Sequence, residues 1–169
     1  TAEALAYAHS HGIVHRDLKP ANVIIGEFGE TMVIDWGLAQ DMNEVAAFFA
    51  GSPGGTAQSD TASASGSGGP GTDEIALASL GRAVGTPAFM PPEQAEGLPV
   101  DARADVYSLG AILYNLLCGR RPYADIGSGR QVLDMVMRQP PRALVELAPE
   151  APDDLVTIAD KAMSRNPAR

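Results

Sequence analysis

Residues 14–25, VHRDLKPANVII, gather His15, Arg16, Asp17, Lys19 and Asn22 at the mouth of an aliphatic run. A second polar group, IDWG at 34–37, follows shortly after. Asp17 is an acceptor for a hydroxyl proton, and Lys19 is a cation for a phosphate group. Asn22 and Asp35 supply an amide oxygen and a carboxylate, hard ligands suited to Mg²⁺, which takes few protein ligands and completes its shell with phosphate and water. Base, cation and metal ligands in one place fit phosphoryl transfer, where positioning and charge stabilisation dominate. Singly the pieces carry little weight: an Asp before a Gly is more often a turn, and a lone His-Arg-Asp a solvated loop. Their order around one hairpin makes accident a poor explanation.

The elements that must hold these residues can be read on either side. Two short β-branched runs at 23–25 and 32–34, separated by the glycines of GEFGE, predict a hairpin. Pairing Ile25 with Met32 sets Val23 opposite Ile34 and Asn22 opposite Asp35, bringing both metal ligands to the open end beside Asp17 and Lys19. Upstream, 2–11 predicts the end of a helix with Gly12 as its C-cap. Downstream, 101–118 predicts the strongest helix. Asp101 can cap it, Val106, Leu109, Leu113, Leu116 and Leu117 recur at helical spacing, and Gly119 and Pro122 end it. Shorter helices are predicted over 131–138 and 153–164, the second opened by Pro152 and two Asp residues that suit an N-terminal dipole. The second half is thus mostly helical. Residues 51–72 are nearly all Gly, Ser, Thr, Ala and Pro. Such a stretch cannot bury enough apolar surface to offset its ordering entropy, and reads as a disordered insertion.

A chain of 169 residues with 45% hydrophobic composition suffices for one ordinary domain with a real core. Twelve basic against 21 acidic residues give a net charge of −9. That charge repels phosphate backbones, so neither nucleic acid nor an anionic membrane is expected as a partner of this segment. The single Cys118 excludes an internal disulfide and suits a reducing, cytoplasmic setting. The most apolar run, 106–118, falls short of the ~20 residues of a membrane span.

HRDLKPAN resembles the catalytic loop of eukaryotic-type protein kinases, and IDWG resembles their Asp-Phe-Gly motif with Trp in the middle place. GTPAFMPPEQ (85–94) is similar to the segment ending in Ala-Pro-Glu, and DVYSLGAILYNLLCGRRPY (105–123) to the buried helix that follows. RNPAR resembles the closing Asn/Asp-Pro-x-x-Arg pattern. The motifs run through nearly the whole chain in family order, in the manner of bacterial serine/threonine kinases. The resemblance implies an α+β protein-kinase-like fold with a mostly helical C-terminal lobe and a short β-hairpin at the catalytic site. It implies ATP and Mg²⁺ as cofactors and a Ser/Thr-bearing protein as substrate. Asp17 would be the catalytic base, Lys19 would contact the transferring phosphate, Asn22 and Asp35 would hold magnesium, and Ile24 would pack under the adenine. His15 and Trp36, beside Gly37, would belong to the column linking the lobes. Thr86 would bond near Asp17 and Lys19, Glu93 would pair with a closing Arg, and Asp105 would brace the His-Arg backbone. Arg16 would receive an activation-segment phosphate, with Ser79 the leading site and Thr72 the second.

The departures are Trp36 for Phe, Pro91 before Pro92-Glu93, and Phe89 for the more usual Tyr. No Gly-rich phosphate loop, Val-Ala-Ile-Lys strand or partner Glu stands before Thr1. The expectation is therefore most of a C-terminal lobe, inactive alone, whose N-terminal lobe belongs to the same longer chain. Two alternatives remain. An aminoglycoside-type phosphotransferase shares the Asp-x-x-x-x-Asn loop but lacks the 85–93 segment. A pseudokinase-like binding module would be expected to have lost Asp17, Asn22 or Asp35.

Overall fold

Helix α1 (Ala2–Ser10) buries Leu5 and Ala8 and ends at His11, after which Gly12 takes φ +77°. That left-handed conformation is open to glycine without a Cβ clash, so the chain can leave the helix sharply there. It enters β1 (Ile13–Val14), which pairs antiparallel with β4 (Gln40–Asp41), Ile13 facing Asp41 and Val14 facing Gln40. The short ladder closes a loop over 15–39 and brings Arg16 out near the strand that carries Gln40. The computed structural model describes residues 1–42 and 87–166, which belong to one compact unit. The predicted insertion at 51–72, together with Thr72, Ser79, Thr86 and Arg169, lies outside the described residues.

Within the closed loop, a 3-10 turn (Pro20–Asn22) leads to β2 (Val23–Ile25), which pairs with β3 (Thr31–Val33). The hairpin is as predicted, but its register is shifted by one: Val23 faces Val33, Ile24 faces Met32, and Ile25 faces Thr31. Asn22 is therefore level with Ile34, whose N–H donates to the Asn22 carbonyl at 3.0 Å, and not with Asp35. The turn decides this. Gly29 N–H donates to Gly26 O (3.1 Å), Gly29 takes φ +84°, and Gly26 N–H donates to Glu30 O (2.8 Å). This is a three-residue connection with glycine in the left-handed position; the predicted pairing needed one with an even number of residues.

A second 3-10 turn (Pro87–Phe89) and the short helix α2 (Pro92–Ala95) lead to α3 (Ala102–Cys118). Both predicted ends of α3 hold: Asp101 Oδ1 accepts from Arg103 N–H at 2.9 Å, and Gly119 closes it at φ +69°. The fully buried face consists of small and aromatic residues, with Leu113 and Leu117 of the leucine row packed beside it and partly buried. Ala104, Tyr107, Ala111 and Tyr114 are buried with Asp105 and Ser108, whereas Val106 and Leu116 are exposed. Helix α6 (Asp153–Ala162) crosses so close that a Cβ on Gly110 would lie 2.7 Å from the Ala162 Cβ, and small residues are required there. Helix α4 (Gly129–Arg138) starts on a reciprocal Ser128–Gln131 capping box, and α5 (Leu144–Leu147) buries Leu144. The Arg165 guanidinium donates to the Val136 and Met137 carbonyls at the end of α4. Phe89, Tyr107, Tyr123, Val132, Val136 and Leu144 are part of one core. The result is α+β: among the described residues, mostly helices with two small antiparallel ladders. Among the described residues no helix is long and apolar enough to cross a membrane.

Candidate active site

The segment that presents Asp17 is held from below by Asp105, in the first turn of α3. Asp105 is 0% exposed; its Oδ2 accepts from His15 N–H and its Oδ1 from Arg16 N–H, both at 2.9 Å. Arg16 takes φ +69°, a region a non-glycine side chain enters at a cost, so the backbone before Asp17 is held against its own preference. His9, from α1, adds a third bond, its Nε2 lying 2.7 Å from Asp105 Oδ2. Sequence reasoning missed His9. Its only signal is helical spacing, four residues after the buried Leu5 and beside the buried Ala8.

His15 is also fully buried and links Asp17 to the second polar group. Asp17 N–H donates to His15 Nδ1 (3.2 Å), which puts the imidazole proton on Nε2, and Nε2–H donates to Ile34 O (3.0 Å). Trp36 packs on the same ring with centroids 4.6 Å apart, tilted by 58°. The half-exposed indole donates its N–H to Val33 O at 3.0 Å.

Two side chains then converge on one carboxylate. Lys19 Nζ donates to Asp17 Oδ2 at 2.6 Å, and Asn22 Nδ2 donates to the same oxygen at 3.2 Å and to Asp17 O at 2.8 Å. The Asp17 and Lys19 side chains are only 23% and 21% exposed, so the pair is shielded but reachable. Oδ2 is committed, which leaves Asp17 Oδ1 to receive a further donor. Both Asn22 side-chain bonds use its amide nitrogen, leaving its oxygen able to serve as a ligand.

Asp35 is exposed, at φ +61°, and among the described residues has no hydrogen-bond partner. A Cβ on Gly37 would lie 3.4 Å from Asp35 Oδ1. An amide oxygen and an unengaged carboxylate are the donor set a hard divalent cation takes, so the residues fit Mg²⁺. Ile24 is 42% exposed, on a hairpin that also exposes Ile25 and Met32. Glu93 is not part of this cluster. With Arg103, Tyr107 and Lys161 it lines a separate cavity of about 330 Å³.

The Arg16 side chain donates from Nη1 to Gln40 Oε1 at 2.8 Å. Burial pushes the guanidinium below its ordinary pKa, with the Asp105 charge opposing. Gln94 Nε2 donates to Arg16 O at 2.8 Å. Neither glutamine stands out in the sequence, because a lone amide has no spacing signature.

The protein kinase domain family model matches residues 1–169. The chain is 37% identical over 167 residues to the serine/threonine-protein kinase PknD of Protochlamydia amoebophila, covering 96% of this chain and 15% of that protein. It is 36% identical over 169 residues to the serine/threonine-protein kinase PkaA of Streptomyces coelicolor, covering 98% of this chain and 25% of that one. With the DNA damage-responsive serine/threonine-protein kinase RqkA of Deinococcus radiodurans the identity is 34% over 157 residues, 93% of this chain and 19% of the relative. The chain thus spans between 15% and 25% of the length of these relatives.

Proposed function

The chain belongs to the protein kinase family, and from that premise we propose that it carries the catalytic-lobe machinery of a serine/threonine kinase. That kinase moves the ATP γ-phosphate to Ser or Thr hydroxyls of proteins. The observation that carries this reading is the Asp17 carboxylate. One of its oxygens is committed to Lys19 and Asn22 and the other is open, on a backbone fixed by Asp105 and His15. The open oxygen accepts the substrate hydroxyl and takes its proton as the oxygen attacks. Lys19, anchored on Asp17, sets a positive charge beside the place where the transferring phosphoryl group gathers negative charge, a stabilisation that grows towards the transition state. Asn22 and Asp35 would hold Mg²⁺, which when bound neutralises the phosphates and orients them. The exposed Ile24 offers an apolar surface for the adenine ring, beneath a preceding lobe of the longer protein.

Proton acceptors of this kind contribute roughly 10²–10⁴-fold to rate. In the full-length protein, Asp17→Asn therefore lowers transfer of radiolabelled phosphate to a protein substrate by about that factor, with nucleotide binding retained. Near-full activity of Asp17→Asn would refute the assignment.

A further inference from the structure

The peptide unit joining Arg16 to Asp17 is pinned at both ends. Its N–H donates to His15 Nδ1 at 3.2 Å, and its carbonyl accepts from Gln94 Nε2 at 2.8 Å. The preceding N–H, on Arg16, is held by Asp105 at 2.9 Å. Two of these three bonds come from residues already placed in the site. The third comes from α2, a helix of four residues that opens on Pro92 with Pro91 as its N-cap. Among the described residues, Gln94 thus gives the side-chain hydrogen bond that joins α2 to the peptide preceding Asp17.

We propose that Gln94 is a positioning residue for Asp17, fixing the peptide plane from which the Asp17 side chain departs. The role rests on the reading of Asp17 as proton acceptor. Three features carry it. Arg16 is at φ +69°, so its peptide relaxes towards a commoner conformation unless both ends are held. The amide orientation of Gln94 is dictated, because its oxygen cannot face the Arg16 carbonyl; the nitrogen must. The cost of that orientation is visible: Gln94 Oε1 is buried without a hydrogen-bond partner. A side chain kept only for packing would not leave its own oxygen unsatisfied to give its nitrogen to one carbonyl. Gln40 acts on the other part of the same residue, accepting from Nη1 at 2.8 Å, so Arg16 is held by backbone and side chain together.

The test uses the full-length kinase with Gln94→Met, of similar length and without a donor, and Gln94→Glu, of the same shape and without a donor at neutral pH. Asp17→Asn is measured beside them. A small misplacement of a reacting group costs up to about a hundredfold, so each Gln94 variant is expected to lower kcat about tenfold or more. KM for ATP stays near wild type in both, and so does the melting temperature of Gln94→Met; Gln94→Glu, which sets a carboxylate against the Arg16 carbonyl, melts lower. A general structural role would instead lower the melting temperature and the active fraction, leaving kcat per folded molecule unchanged. Wild-type kcat in both Gln94 variants, with Asp17→Asn inactive, would overturn the positioning role alone. Failure of both variants to fold would assign Gln94 to packing and overturn it as well. An Asp17→Asn protein at full activity would instead overturn the kinase reading on which the role rests.

Discussion

Replacing Asp105 should be among the most destabilising single changes to this chain, and the cost can be worked bond by bond. The carboxylate is fully buried and accepts from His15 N–H, Arg16 N–H and His9 Nε2. Asp105→Ala leaves two buried backbone N–H groups without acceptors, each costing ~1–3 kcal/mol, so the loss is about 2–6 kcal/mol. Asp105→Asn keeps one oxygen, which can serve His15 and His9 as Oδ2 does now. Its NH₂ then faces the Arg16 N–H, donor against donor, for a loss of about 1.5–3 kcal/mol. His9→Ala orphans no backbone group, because Asp105 Oδ2 keeps its bond to His15, and costs about 1 kcal/mol. Trp36 is the chain's only tryptophan, and its ring rests on His15, so its fluorescence reports this region directly. With a urea slope of about 2 kcal/mol/M, the midpoint should fall by roughly 0.5 M for His9→Ala, 1 M for Asp105→Asn, and 1–3 M for Asp105→Ala. An Asp105→Ala chain that unfolds at the wild-type midpoint, or a His9→Ala loss exceeding that of Asp105→Asn, would refute the bond-by-bond account.

Two further outcomes are expected. On the proposed reading, Asp35→Asn in the full-length protein weakens Mg·ATP binding as well as turnover, because a carboxylate ligand would become a neutral one; a Mg²⁺ titration of the rate checks it, and an unchanged magnesium dependence would count against the ligand role. Asp101→Ala removes the α3 N-cap and costs about 0.5–2 kcal/mol. Arg103's side-chain bond, opposed in part by burial, holds the Asp101 carboxyl below its ordinary value. The cap's contribution is therefore complete above the unfolded carboxyl's pKa and is lost as pH falls through the folded one. Urea curves of wild type and Asp101→Ala should then converge in acid.

What the sequence made legible divides along a physical line. Helix ends marked by Asp101 and Gly119 were readable because a cap acts within one turn of its own residue. The hairpin was readable from its β-branched runs, but not its register. The register depends on which of two glycines takes the left-handed position, and GEFGE offers both Gly26 and Gly29. The fully buried face of α3 was not legible, because hydropathy ranks leucine above alanine and glycine. A close helix crossing reverses that order: volume, not hydropathy, decides which side of α3 meets Ala162. Within the site, Asp17, Lys19 and Asn22 were readable because they act at short range on one loop, and Asp105 entered through resemblance. His9, Gln40 and Gln94 act across the fold, on a carboxylate, a guanidinium and a carbonyl that lie 96, 24 and 78 residues away. A single amide or imidazole becomes meaningful only once the strained Arg16 backbone is known to need holding. The strain at Arg16 is therefore the feature from which those supporting residues could be found, since each of them bonds Arg16 or the carboxylate beneath it.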